Sequence, residues 1–296
     1  MSVTFSINIS GYLPADTDIR KFFSDSPQEG IRYNFNRNKY DYPEPESDFV
    51  HKETNAVTAS EVIDLLRQEK SDCTIFHLAD LPAELPDDII IAGLLYRSDP
   101  SAHLYIAPDA YDETKDLRLR DKIPTGVSSV MLGAQLKALK PGIEVHNIGI
   151  GTILKELKDG TVHAFAAYNF EGQLIKKEFT DFNIVRLNPK EVIPRPGEGV
   201  IACVCLRDNI EMRKIIKTKH RPEISRCTNV ERKTLKLSVK KAISEISVYC
   251  NSDQNGYLHV RAAALLPETG VFKSVFISKS SSVNLPESII SKLLNS

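Results

Sequence analysis

Apolar and polar positions recur along this chain with two periods, and the places where one gives way to the other divide it into elements. Residues 3–9 (VTFSINI) read as a strand, 16–23 as a short helix with an Asp near its start, and 31–35 as a second strand. Residues 36–48, polar with interspersed Tyr and Pro, predict a long loop. Thr58-Ala-Ser-Glu61 is a capping-box pattern that opens an amphipathic helix with Val62, Leu65 and Leu66 on one face. Strand-like runs follow at 73–76, 89–94 and 103–107. Strands separated by helix-sized crossovers predict a mostly parallel, doubly wound α/β sheet.

A charged, strand-poor connector over 108–122 leads to a second α/β block. It comprises a helix at 130–139 ending at Pro141-Gly142, a strand at 143–148, a helix at 152–157, an Asp159-Gly160 turn and a strand at 162–167. Residues 189–199 (PKEVIPRPGEG) are rich in Pro and Gly and read as a hinge between domains. Residues 200–206 alternate too weakly for a half-exposed strand, so a buried one is expected. The tail differs in character, with a long helix at 223–241 and strands at 246–250, 257–265 and 271–278. An Asn255-Gly256 hairpin signal separates the first two strands, and a last helix covers 287–294. That order predicts a small α+β domain with an antiparallel sheet.

Composition narrows the function classes. With 38 Lys+Arg against 39 Asp+Glu the net charge is −1, which argues against nucleic acid as the main partner. The longest apolar run, residues 89–96, is far short of the ~18–20 residues a membrane span requires. The first residues show no basic region followed by an apolar stretch, so a cytoplasmic chain without a secretory leader is expected. Five cysteines with no C-x-x-C pair make both a disulfide framework and a structural zinc site unexpected. Cys203 and Cys205 stand two apart on one strand face; two buried thiols explain them more simply than a metal pair. The basic run from Arg213 to Arg221 reads as a solvated helix face.

Four segments, in order, resemble porphobilinogen deaminase, also called hydroxymethylbilane synthase. His77-Leu-Ala-Asp-Leu-Pro-Ala-Glu-Leu-Pro86 is similar to that family's H-S-M-K-D-V-P-T-E-L-P, with Asp80 on the catalytic aspartate and the histidine one residue closer to it. Gly126-Val-Ser-Ser-Val-Met-Leu-Gly-Ala-Gln-Leu136 resembles G-T-S-S-L-R-R-x-A-Q-L. Pro196-Gly-Glu-Gly-Val-Ile-Ala-Cys-Val-Cys205 resembles P-G-Q-G-A-L-A-V-E-C, and Val230-Glu-Arg-Lys-Thr-Leu235 resembles E-R-x-x-L. The resemblance implies three domains: residues 1–98 with 197–215, residues 99–196, and residues 216–296. The first two would be α/β domains similar to type II periplasmic binding proteins with a cleft between them, and the third α+β. It further implies a transferase that builds a tetrapyrrole precursor on a dipyrromethane held by a cysteine thioether.

Carried over residue by residue, the resemblance puts the family's Gly-Gly-Cys on Lys240-Lys241-Ala242, so the anchor position holds a methyl group and no cofactor is expected. The paired arginines after Ser128-Ser129 become Met131 and Leu132, and R-G-N-V-x-T-R becomes Asn147-Ile-Gly-Ile-Gly-Thr-Ile153. The lysine before the aspartate is Ala79, and the family's Gln in P-G-Q-G is Glu198. Asp80 keeps its position, although a carboxylate accepting backbone N–H bonds in a turn explains it without catalysis. Ser128 and Ser129 could hold an anion at a helix start or serve as an ordinary N-cap. The expectation is a divergent monomer without deaminase activity that binds a small molecule or an unidentified protein in the interdomain cleft, with no metal. The alternatives are an active hydroxymethylbilane synthase in heme biosynthesis and an interaction subunit whose cleft is filled by apolar side chains.

Overall fold

The computed structural model describes residues 3–9, 31–37, 70–168, 178–243, 245–266 and 269–295, with Lys176 and helical fragments around Ile19–Phe23 and Ile63–Gln68. The predicted capping box, Val62, Leu65 and most of the 36–48 loop lie outside the described residues. The described residues form two compact units. The first runs to Ser98 and resumes with Gly197–Arg226; the second takes Asp99–Pro196 and Cys227–Ser296.

In the first unit, β1 (Val3–Ile9) pairs in parallel with β2 (Ile31–Arg37) on one side and β3 (Cys73–His77) on the other. β4 (Ile89–Arg97) would continue the parallel set, but β10 (Val200–Leu206) enters between β3 and β4, antiparallel to both. The order is therefore β2-β1-β3-β10-β4. β3 is buried along its whole length and β10 over all but its last residue, as expected for central strands covered on both faces. Phe76, Leu78, Leu94, Ala202 and Val204 form one apolar cluster with Ile63 and Leu66.

The second unit repeats this topology with its antiparallel strand arriving early. β5 (Ala102–Ile106) pairs antiparallel with β8 (Ala164–Tyr168) and β9 (Asn183–Arg186). β6 (Pro124–Val127) pairs in parallel with β8 and with β7 (Glu144–Asn147), giving β7-β6-β8-β5-β9. β5 thus belongs to the second sheet, although the hydrophobic pattern alone groups it with the first block; the 99–196 segment that the resemblance implies contains it. β9, four residues of Asn-Ile-Val-Arg, is an element that the hydrophobic pattern missed. Each five-stranded sheet takes its antiparallel strand from chain that has just crossed between the units, at Ser98/Asp99 or Pro196/Gly197.

The helices follow from their caps. α1 (Val130–Leu139) begins at Ser129, whose Oγ accepts the Leu132 N–H at 3.2 Å. α2 covers Ile150–Asp159, and α3, Ile210–Lys219, is capped by Asn209 Oδ1 on the Met212 N–H. α4 (Pro222–Lys240) has proline at its first position, where the missing N–H costs nothing. The last sheet, β11-β12-β13 (Glu245–Ser252, Leu258–Leu265, Phe272–Lys279), is fully antiparallel. One face of it packs Val248, Cys250, Val260, Ala262 and Ile277 against α4 and α5 (Leu285–Asn295). The chain is of the α/β class with an α+β C-terminal portion. Among the described residues no helix is long and apolar enough to cross a membrane.

α4 ends at the position where the resemblance expects a sulfur. The Ala242 N–H donates to Val239 O at 3.1 Å and the Ile243 N–H to Ser238 O at 2.9 Å, the bond pair of a Schellman cap. Ala242 holds the left-handed conformation this closure requires, at φ +57°, and is exposed, while Ile243 is fully buried. A Cβ in that conformation costs about 1–2 kcal/mol, partly offset by the chain entropy that glycine loses on folding. Ala242→Gly is therefore expected to stabilise the protein by about 0.5–1 kcal/mol in urea unfolding. A loss of stability would show that the methyl group makes a contact worth more than the strain.

Candidate functional site

Asp80 lies where β3 gives way to a single 3₁₀ turn, Leu78–Asp80, closed by the Leu81 N–H on Leu78 O. Its carboxylate is 3.6 Å from Nδ1 of His77, the last residue of β3. That separation makes them charge neighbours rather than hydrogen-bonded partners. The His77 ring is only 3% exposed, and its other nitrogen, Nε2, accepts the Gly199 N–H at 2.8 Å. An Nε2 that accepts must be bare, so the ring proton sits on Nδ1 and faces Asp80. Glu198 completes the group: its Oε1 is 3.4 Å from His77 Nε2 and the side chain is 1% exposed.

The Pro196-Gly-Glu-Gly199 turn builds this arrangement through two backbone conformations that other residues rarely adopt. Gly197 and Gly199 have φ of +83° and +76°. A Cβ on Gly197 would lie 2.8 Å from Leu78 Cγ, and one on Gly199 would lie 2.8 Å from Ser98 O. The turn is thus pressed onto the 3₁₀ turn and the end of β4, which fixes the Gly199 N–H against His77 and drives Glu198 inward. Ser98 secures it, donating from N and from Oγ to Gly199 O at 2.8 and 3.1 Å. Asp80, with 24% of its side chain exposed, is the member of the trio that solvent or a ligand reaches. A carboxylate there, backed by a fixed imidazole, can accept or hold a proton.

Ser128 and Ser129 belong to the second unit. Ser129 is the N-cap of α1, as one of its two readings had it, and its hydroxyl is engaged. Ser128 donates its N–H to Ala166 O, and its buried Oγ has no hydrogen-bond partner among the described residues. The neighbouring Met131 and Leu132 face inward, 3% and 0% exposed. Met131 packs with Ile193 and Ala263, and Leu132 joins Leu104, Val127 and Leu136. Ile153 is likewise fully buried.

All five cysteines are buried, the most accessible being Cys227 at 7%. Burial, reinforced by the neighbouring Cys203 thiol, holds Cys73 well above the usual thiol range, and burial pushes Cys205 up to about 12. Such thiols are poor nucleophiles at neutral pH. Among the described residues no group of three or more His, Cys, Asp or Glu side chains is placed to hold a metal ion.

The sequence singles out Asp80 and marks Glu198 only as the replacement of the family's Gln; that His77 and Glu198 join Asp80 in one group is visible only in the structure. The available signal was a histidine ending a buried strand together with a carboxylate flanked by two glycines.

Relatives reinforce the four-segment resemblance. A family model described as "Porphobilinogen deaminase, dipyromethane cofactor binding domain" matches residues 46–214. The porphobilinogen deaminase of Alkaliphilus metalliredigens is 29% identical over 187 residues, 60% of this chain and 55% of that protein. That of Staphylococcus carnosus is 28% identical over 207 residues, 67% of this chain and 63% of the relative. That of Macrococcus caseolyticus is 31% identical over 175 residues, covering 56% and 53%. The matched part thus spans roughly half to two thirds of these curated relatives. Among solved structures, the periplasmic VFT2 domain of Bordetella pertussis BvgS aligns with TM-score 0.44 at 11% identity, covering 78% of this chain and 91% of that one. An ancestral arginine-binding protein bound to glutamine aligns with TM-score 0.39 at 14% identity, covering 82% and 94%. Because the family model takes in more than half of the residues, the chain belongs to the porphobilinogen deaminase family.

Proposed function

We propose that this chain is a cytoplasmic family member that does not polymerise porphobilinogen and instead binds a small organic ligand on the inherited scaffold. The observation that carries this reading is the state of its sulfur atoms. A dipyrromethane held through a thioether needs an accessible cysteine. The position aligned with that anchor is the exposed Ala242, and every thiol in the chain is buried. The residues present do not fit that group.

Electrostatics supports the same reading. A growing pyrrole chain carries two carboxylates per ring, and charge-assisted guanidinium contacts worth about 1.5–3 kcal/mol each are the physical means of holding them. Met131 and Leu132, aligned with two such guanidinium groups, are instead packed into apolar clusters. Carboxylates brought there would be desolvated without a partner, which costs more than the absent contacts alone.

A second reading, an active hydroxymethylbilane synthase, draws on one observation: Asp80 remains partly exposed and backed by His77. Incubating the folded protein with porphobilinogen, followed by acid oxidation, separates the two. No uroporphyrin colour is expected; colour that grows with time and protein concentration would establish the second reading and dismiss the first.

A further inference from the structure

The last sheet has a second face that the helices α4 and α5 do not cover. Alternation along β12 and β13 turns Arg261, Ala263, Phe272, Ser274 and Phe276 to it. Around Ala263 this face is closed by Met131 of α1 and by Ile193. Beyond that closure lies a cavity of about 400 Å³ bounded by the end of α1, residues 190–193 and β12–β13. That volume falls within the range of about 300–1,000 Å³ typical of small-molecule sites. Leu139, Ile193 and Phe272 give it an apolar lining; Arg261, Lys190 and Glu191 bring the charges.

Arg261 is arranged unlike a solvated surface arginine. It stands directly across the ladder from Phe276, with its guanidinium carbon 4.5 Å from the ring centroid. The ring, 51% exposed, also stacks at 6.3 Å and 13° with His259, whose Nε2 is 3.2 Å from Asp253 and whose Nδ1 is 3.1 Å from Ser278 Oγ. A guanidinium laid on an aromatic ring keeps its N–H edge available and loses less freedom on binding than a free one. Neither Arg261 nor the Lys190 ammonium has a carboxylate or hydrogen-bond partner among the described residues. Among the described residues, then, two cations without an ionic partner line one cavity of mixed apolar and polar lining.

We propose that this cavity binds a small planar monocarboxylate, an aromatic or conjugated acid. Its carboxylate is taken by the Arg261 fork with Lys190 beside it, and its ring lies against Phe272, Leu139 and Ile193. A forked guanidinium matches a carboxylate through two parallel N–H bonds. Glu191, on the same cavity, repels a second negative charge and selects monoacids over diacids. The inference involves none of His77, Asp80 and Glu198 and holds whether or not the chain polymerises porphobilinogen.

Titration calorimetry of the full chain with benzoate and 2-naphthoate tests it, with benzamide as the uncharged isostere. Both acids are expected to bind, naphthoate more tightly, and benzamide at least about tenfold more weakly than benzoate. Arg261→Gln is expected to weaken both acids about tenfold or more, and Lys190→Ala by less. Lys214→Ala, on α3, should leave them unchanged. Ser274→Trp, which fills the cavity from β13, abolishes binding and serves in place of Arg261→Gln if that variant does not fold. Equal binding of benzoate and benzamide, undiminished binding to folded Arg261→Gln or Ser274→Trp, or no binding of either acid at millimolar concentration would each overturn the proposal.

Discussion

Replacing Gly199 with alanine is expected to lower the unfolding free energy by about 2–5 kcal/mol. Two costs combine. An L-residue at φ +76° is strained by about 1–2 kcal/mol, and the new Cβ would lie 2.8 Å from Ser98 O, a backbone atom that cannot rotate away. Relief of that overlap must shift the turn, at about 1–3 kcal/mol, and draws the Gly199 N–H off His77 Nε2. Against a total stability of about 5–15 kcal/mol this is a large share. Gly197→Ala is expected to be costly as well, because a Cβ there would lie 2.8 Å from Leu78 Cγ and 3.2 Å from the backbone atoms Leu78 C and Ala79 N, again at positive φ. Urea titrations of both variants check these losses. A loss below about 1 kcal/mol for Gly199→Ala would mean that the turn is not pressed against β4 as described.

Leu132→Arg is expected to be more damaging than its conservative counterpart by a wide margin. Leu132 is fully buried among Leu104, Val127 and Leu136, so an arginine there either stays charged without a partner or forces the helix off its sheet. Burying an uncompensated charge costs about 3–5 kcal/mol, enough to leave a sizeable unfolded fraction. Leu132→Met keeps volume and polarity and should cost under about 1.5 kcal/mol. Circular dichroism and denaturant midpoints distinguish the outcomes. A well-folded Leu132→Arg of near-normal stability would show a ready route from this position to solvent. The position could then still serve an anion.

The elements with strong local signals were legible in the sequence. α1 was read at its observed bounds, because Ser129 caps it and its apolar positions recur with helical spacing. The hairpin around Asn255-Gly256 was equally plain, its tightness reflected in the Gly256 N–H bond to Asp253 O. What sequence order hid was sheet membership. Residues 97–103 (RSDPSAH) show only a turn signal, so the hydrophobic pattern alone runs β5 on from the first block although it pairs with β8 and β9; the boundary at 98/99 comes from the family resemblance and not from the pattern. β9 itself has four residues with alternating exposure and too little length to stand out from the surrounding polar chain. The site was half legible. Asp80 could be found from its segment, but its partners are non-local: Gly199 lies 122 residues beyond His77 and meets it only because β10 inserts beside β3. The Arg261 cavity left no trace in the pattern, since an arginine opposite a phenylalanine has the spacing of any strand with one face outside the core.

The most direct measurement is the intact mass of the denatured protein after purification from cells that make porphobilinogen. A thioether survives denaturation, so any covalent pyrrole remains on the chain. The mass expected is that of the polypeptide alone, since Ala242 offers no sulfur and the five thiols are enclosed. A species heavier by two linked pyrrole rings, mapped by digestion to any cysteine, would contradict it.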